Sequence, residues 1–146
     1  MTTTGFGRLE IDDVALLTRV LAINLRVTAV LDDLAAAEGL TGPDYLVLGV
    51  IRLSPGGRGS PSHIAHALGR STGGLTLTLD RLARDGFIER APDPDDGRRI
   101  TVGLTPAGRR AAVAVNAALH RWEDGLAIGP EARTRLDRSL DRLLDA

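Results

Sequence analysis

The sequence contains no cysteine in its 146 residues, which excludes a disulfide framework, a thiolate metal site and a thiol redox switch. Lysine is missing as well. All 18 basic residues are arginine, a pattern that reads as nucleotide composition bias more than as chemistry. Aromatic residues are limited to Phe6, Tyr45, Phe87 and Trp122, so a ligand held by ring stacking would find few partners. No run of about 18 uncharged apolar residues occurs, and the N-terminus lacks the basic region, apolar run and cleavage site of a secretory leader. A cytoplasmic protein without a membrane partner is expected.

Residues for catalysis are equally sparse. Of the three histidines, His63 and His66 stand at i, i+3 on a predicted helix and His120 lies apart, and two ligands are too few for a metal site. Gly73-Gly74 lacks both the Gly-Lys-Ser/Thr ending and the preceding strand of a phosphate loop. With no nucleophile–base pair visible, the sequence predicts no enzyme, no cofactor and no metal.

The length fits one domain with a real core, taken here as residues 1–146. The net charge of −1 hides an uneven distribution: residues 58–110 carry +3, residues 1–57 carry −3 and residues 111–146 carry −1. The basic excess falls on the stretch that also has the sharpest local signals. Ser60 and Pro61 form an N-cap followed by a first helical residue, predicting a short helix to Leu68 that Gly69 ends. Ser71 caps a second helix whose Leu75, Leu79 and Leu82 recur at i, i+4, i+7, and Gly86 closes it. Thr72, Gly73, Thr76, Leu77, Asp80, Arg81 and Arg84 are left on the opposite face, the set that a recognition helix offers to a DNA major groove. Phe87 and Ile88 then open a strand, residues 92–97 supply turn chemistry, and Ile100, Val102 and Leu104 alternate with Arg99, Thr101 and Gly103. Helix, turn, helix and a two-stranded ribbon make a winged helix-turn-helix.

The flanks read as helix. Residues 1–9 are small and polar, the composition of a disordered arm. Residues 11–37 avoid Gly and Pro, and Val14, Leu17, Leu21, Leu25 and Leu31 fall near one face. Leu16, Val20, Ile23, Val27, Val30 and Leu34 spread the apolar surface further, which asks for cover on two sides, from a second subunit or from the middle of a monomeric bundle. Gly39 closes that helix. Another runs from Thr41-Gly42-Pro43 to Ser54-Pro55, followed by a loop over residues 56–59. Thr105-Pro106 restarts helix, with Val113, Val115, Leu119 and Trp122 as packing positions until Gly125. A last amphipathic helix from Pro130 sets Leu136, Leu140, Leu143 and Leu144 on one stripe.

The segments STGGLTLTLDRLARDGFIER and PDPDDGRRITVGLTPAG resemble the recognition helix and wing of MarR-type transcription regulators, and the order of the flanking helices is similar across nearly the whole chain. The fold this implies is mainly α: a DNA-binding winged helix over 41–104, with long N- and C-terminal helices over 10–38 and 106–146 forming a dimerisation region. The resemblance implies a homodimeric repressor of a pseudo-palindromic operator in double-stranded DNA, released by a small-molecule effector. DNA contacts then fall to Ser60, Ser62 and His63 on the first motif helix and to Ser71, Thr72, Gly73, Gly74, Thr76, Leu77, Arg81 and Arg84 on the second. Arg98 and Arg99 join them at the wing tip. Thr72, Thr76 and Leu77 are expected at the bases and Arg81 and Arg84 nearer the phosphates, while Arg98 is expected to enter a narrow minor groove. The alternative is an internal ion pair of a wing arginine with Asp93, Asp95 or Asp96 that stiffens the hairpin. Element order would place Arg26, Tyr45 and Leu48 near an effector pocket. Related sequences often carry basic residues where this chain has Leu77 and Thr78, and Arg where it has Asp95. The competing reading is therefore a winged-helix dimer that serves as a protein-interaction module and has lost specific DNA binding.

Overall fold

The computed structural model describes residues 16–145. The expected arm over 1–9, the first residues of the N-terminal helix and Val14 lie outside the described residues. The elements are α1 (Leu16–Ala36), α2 (Gly42–Leu53), a 3-10 turn (Pro55–Gly57), β1 (Arg58–Gly59), α3 (Pro61–Ala67), α4 (Thr72–Arg84), β2 (Ile88–Pro92), β3 (Ile100–Leu104), α5 (Pro106–Asp124) and α6 (Pro130–Leu144).

Four helices start by one device. Thr41, Ser60, Ser71 and Thr105 each accept a hydrogen bond on the side-chain oxygen from the backbone N–H three residues on, satisfying a donor that the helix leaves unpaired. Gly69 and Gly86 take positive φ after α3 and α4, a conformation that a side chain resists, and this ends both motif helices where the sequence predicts.

The core gathers around α2, whose Val47, Leu48 and Ile51 meet Ile64 of α3, Leu75, Leu79 and Leu82 of α4, Ile88 and Val102 of the sheet, and Ala111, Ala112 and Val115 of α5. Val113, expected to pack, is 52% exposed, because Val115 and the two alanines already occupy the side of α5 that faces the core. The long helices are otherwise thinly covered. Of α1 only Ala35 is buried, and Leu17, Leu21, Ile23 and Leu25 are all more than half exposed; α6 has no buried residue, and its leucines stand open.

The wing has three strands rather than two. β3 lies between β1 and β2, antiparallel to both, with Gly59 opposite Val102 and Ile88 opposite Leu104. Residues 58 and 59, read as loop, are too few to show any alternation, and their partner lies far along the chain. The third strand also changes which residues of β3 are inside. Ile100 is 46% exposed, whereas Thr101 and Gly103 are buried, because Arg58 lies across them. Its Nε donates to Thr101 Oγ1 at 3.1 Å and its Nη1 to Glu89 Oε1 at 3.4 Å, and a Cβ on Gly103 would come within 2.7 Å of Nη1.

Tyr45 ties α2 to α5 by donating its hydroxyl to Asn116 Oδ1 at 3.2 Å. Burial raises the phenol above its ordinary value of 10.0, and the nearby Arg52 offsets part of that shift. The neutral phenol is thus the form that the fold prefers, so its contribution is complete below the ordinary value and is lost as pH rises through the raised one. Unfolding midpoints should fall on the alkaline side of about pH 10 and Tyr45→Phe should remove that slope. As the only tyrosine, its phenolate absorbance reports the titration directly.

Candidate nucleic-acid interface

Helix α4 presents two faces. Leu75, Thr78, Leu79 and Leu82 lie inward, while Thr72, Gly73, Gly74, Thr76, Leu77, Asp80 and Arg84 are exposed. Thr78 is 9% exposed and completes the core stripe at i+3 from Leu75, so a basic residue is not simply missing there. Leu77, by contrast, is 76% exposed on the outermost line of the helix. Gly73, one turn before it, has nothing within 4 Å of where a Cβ would stand, so packing against α3 does not account for a glycine at that position. Thr76 Oγ1 donates to Thr72 O at 2.9 Å, and Arg70 Nη2 donates to Gly74 O at 3.1 Å.

Arg81 is placed differently from the expectation of a phosphate contact. Its Nη2 donates to Asp44 Oδ1, and Asp44, whose side chain is 1% exposed, accepts the Thr41 N–H on Oδ2 at 2.9 Å. Breaking a buried ion pair by removing one partner costs about 3–5 kcal/mol, and this holds the Arg81 guanidinium on Asp44. Arg90 of β2 bonds Asp80 of α4 at 2.6 Å, fastening the wing to the helix through a pair exposed by about half on each side. Arg84, near the C-terminal end of α4, is 72% exposed with only a 3.4 Å contact to Asp85, and this geometry leaves it able to meet a phosphate. Asp44, Arg58 and Arg90 were absent from the sequence-derived set. The Thr41–Asp44 capping box was visible as a pattern, but nothing local to Asp44 indicates an arginine 37 residues on.

At the wing tip the aspartates divide the work. Asp93 accepts the backbone N–H groups of Asp95 at 2.8 Å and Asp96 at 3.3 Å, closing the turn. Asp96 accepts the backbone N–H of Arg98 at 3.1 Å and holds the Arg99 guanidinium at 3.2 Å. The internal ion pair thus belongs to Arg99, and the exposed Arg98 has no ion-pair partner among the described residues.

On α3, Ser60 serves as the cap and lies 3.0 Å from the Ser62 hydroxyl, and Ser62, His63 and His66 are exposed. The effector trio does not assemble: Arg26 is exposed on α1, Tyr45 is bonded to α5, and Leu48 is 0% exposed, packed among Val47, Ile51 and the rest of the core with no surface to offer a ligand. A half-open hollow of about 220 Å³ beside the start of α2 is lined by Pro43, Leu46, Leu68 and Arg70.

The winged-helix segment, residues 38–99, matches a family model described as MarR family. The chain is similar to the multiple antibiotic resistance protein MarR of Salmonella typhimurium, with 35% identity over 86 residues, 59% of this chain and 58% of that protein. It is also similar to the HTH-type transcriptional repressor YetL of Bacillus subtilis, with 26% identity over 71% of this chain and 62% of that one. The chain thus spans somewhat over half the length of these curated relatives. Among solved structures, a cysteine-to-serine mutant of MarR from E. coli complexed with operator DNA superposes with a TM-score of 0.73 at 26% identity, over 88% of this chain and 93% of the other.

Proposed function

We propose that the chain is a MarR-family, DNA-binding transcription regulator, a homodimer that represses from a pseudo-palindromic operator. The observation that carries this reading is the presence of two exposed elements suited to the two grooves: the open first turns of α4, and an Arg98 side chain at the wing tip that no aspartate among the described residues holds in an ion pair. A recognition helix enters the major groove, while an arginine on a ribbon suits a narrow minor groove of negative potential. The +3 charge of residues 58–110 supplies a modest phosphate attraction, and with it a marked sensitivity to salt. The dimer is supported by the open leucines of α1 and α6, which are mostly about half exposed and would each gain half of the ~1.5–3 kcal/mol that burying a fully exposed leucine yields. Repression is supported by the likeness to YetL, a transcriptional repressor, and by the operator complex of the E. coli protein.

A mobility-shift assay with the upstream region of its own gene, paired with sedimentation, tests the proposal. A dimer should retard that DNA. Arg98→Ala should weaken binding by about 1–3 kcal/mol and abolish any preference for A·T-rich flanks, because the minor groove mainly separates A·T from G·C. An Arg98→Ala protein that keeps both affinity and flank preference would reduce the arginine to an ordinary surface group. Absence of any complex at low salt would instead favour the interaction-module reading, for which exposed Leu77 is the structural support.

A further inference from the structure

We infer that the protein selects its half-sites by thymine methyl groups, with Leu77 as the reading residue, and draws no guanine recognition from the first two turns of α4. The inference rests on the DNA-binding reading above and narrows it to a class of base.

Guanine is read in the major groove by a cation that donates to O6 and N7 together. The first two turns of α4 carry no cation. Of the arginines nearby, Arg81 is held by the buried Asp44, while Arg90 and Arg70 lie outside the helix and make only exposed contacts to Asp80 and the Gly74 carbonyl. Arg84 stands at the far end of the helix, whereas base edges are reached mainly from a recognition helix's N-terminal residues. Those residues here are Thr72, Gly73, Thr76 and Leu77. The Thr76 hydroxyl gives its proton to Thr72 O, which leaves it lone pairs and a methyl group to offer.

Leu77 then dominates by exposure and by position. It is 76% exposed, opposite the core stripe, and the glycine one turn before it has open space where a side chain would stand. Gly73 lets the backbone come close to a base edge, so that Leu77 can seat against what it meets there. The C5-methyl of thymine is the one apolar group that a base displays in the major groove. Cytosine at the same step has a hydrogen where thymine carries the methyl, and its N4–H2 is no better matched by a hydrocarbon than the thymine O4 it replaces. A leucine in this place therefore distinguishes thymine by contact with the methyl group.

The test uses the full-length protein and a pool of randomised duplexes. Sites enriched by the wild type are resynthesised with deoxyuridine for thymidine, first in the two half-sites and then only in the flanks. Loss of one contacted methyl should weaken binding about threefold to fourfold, and loss from both half-sites about tenfold. Substitution in the flanks should have no effect, since the methyl lies in the groove that Arg98 does not enter. Leu77→Ala should bind the thymidine and deoxyuridine half-sites alike, and Leu77→Arg should shift the enriched base at that step towards guanine. Equal binding of both forms by the wild type overturns thymine reading while leaving DNA binding intact. A pool that yields no enriched site overturns the DNA-binding reading itself, and this inference with it.

Discussion

Arg81→Ala should lower the free energy of unfolding by about 3 kcal/mol, a large share of the roughly 5–15 kcal/mol that holds a domain of this size. The substitution touches a half-exposed side chain, yet its effect comes from the residue left behind. Asp44 is almost wholly buried and would keep the Thr41 N–H as its charge-stabilising neighbour without the guanidinium. The lower end of the range for a broken buried pair applies because Arg81 itself is 38% exposed and can admit some water to the site. Replacing both partners by apolar residues, Asp44→Leu with Arg81→Met, should recover most of the loss, since no charge then remains buried. Urea unfolding followed by circular dichroism measures all three proteins. A loss below about 1 kcal/mol for Arg81→Ala would place the pair with ordinary surface bridges and remove the reason for keeping Arg81 off the DNA.

Gly108→Ala should be comparably damaging, by about 3 kcal/mol, for a reason unrelated to charge. Gly108 is in the first turn of α5, where an added Cβ would stand 1.9 Å from the Phe87 carbonyl oxygen. That oxygen cannot swing away as a side chain can, because it accepts the Thr105 N–H at 3.1 Å and the Thr105 hydroxyl at 3.1 Å. Relief requires moving α5 off the start of β2, which breaks the join between the wing and the long helix that follows. Gly73→Ala is the matching control: it adds the same methyl to an exposed helical position with nothing within 4 Å, and should raise stability by about 0.5–1 kcal/mol. Thermal unfolding of the two variants side by side checks the contrast. Similar midpoints would mean that the α5 turn yields cheaply.

The helix starts were legible because capping is local chemistry. Ser60, Ser71 and Thr105 each bond a backbone N–H three residues away, and no distant residue is needed to make that so. The leucine stripe of α4 and the glycine stops after α3 and α4 were legible on the same ground, through helical period and positive φ. The recognition face followed from them, as whatever lay opposite the stripe. Thr78 escaped because a threonine carries no apolar signal, and only the width of the packing surface draws it inward.

Sequence alone was enough for the winged helix-turn-helix, its order along the chain, and the exposure of Thr72, Thr76, Leu77 and Arg98, since each depends on neighbours within a turn or a hairpin. It could not supply the pairing of β1 with β3, the arginine laid over Gly103, the burial of Leu48 or the capture of Arg81 by Asp44. Each of these joins residues that are far apart along the chain and carry no mark of one another. An arginine reads the same whether it faces a phosphate or a buried carboxylate, and the choice falls to the tertiary fold, which brings Asp44 of α2 within reach of Arg81 of α4 and shuts water away from it.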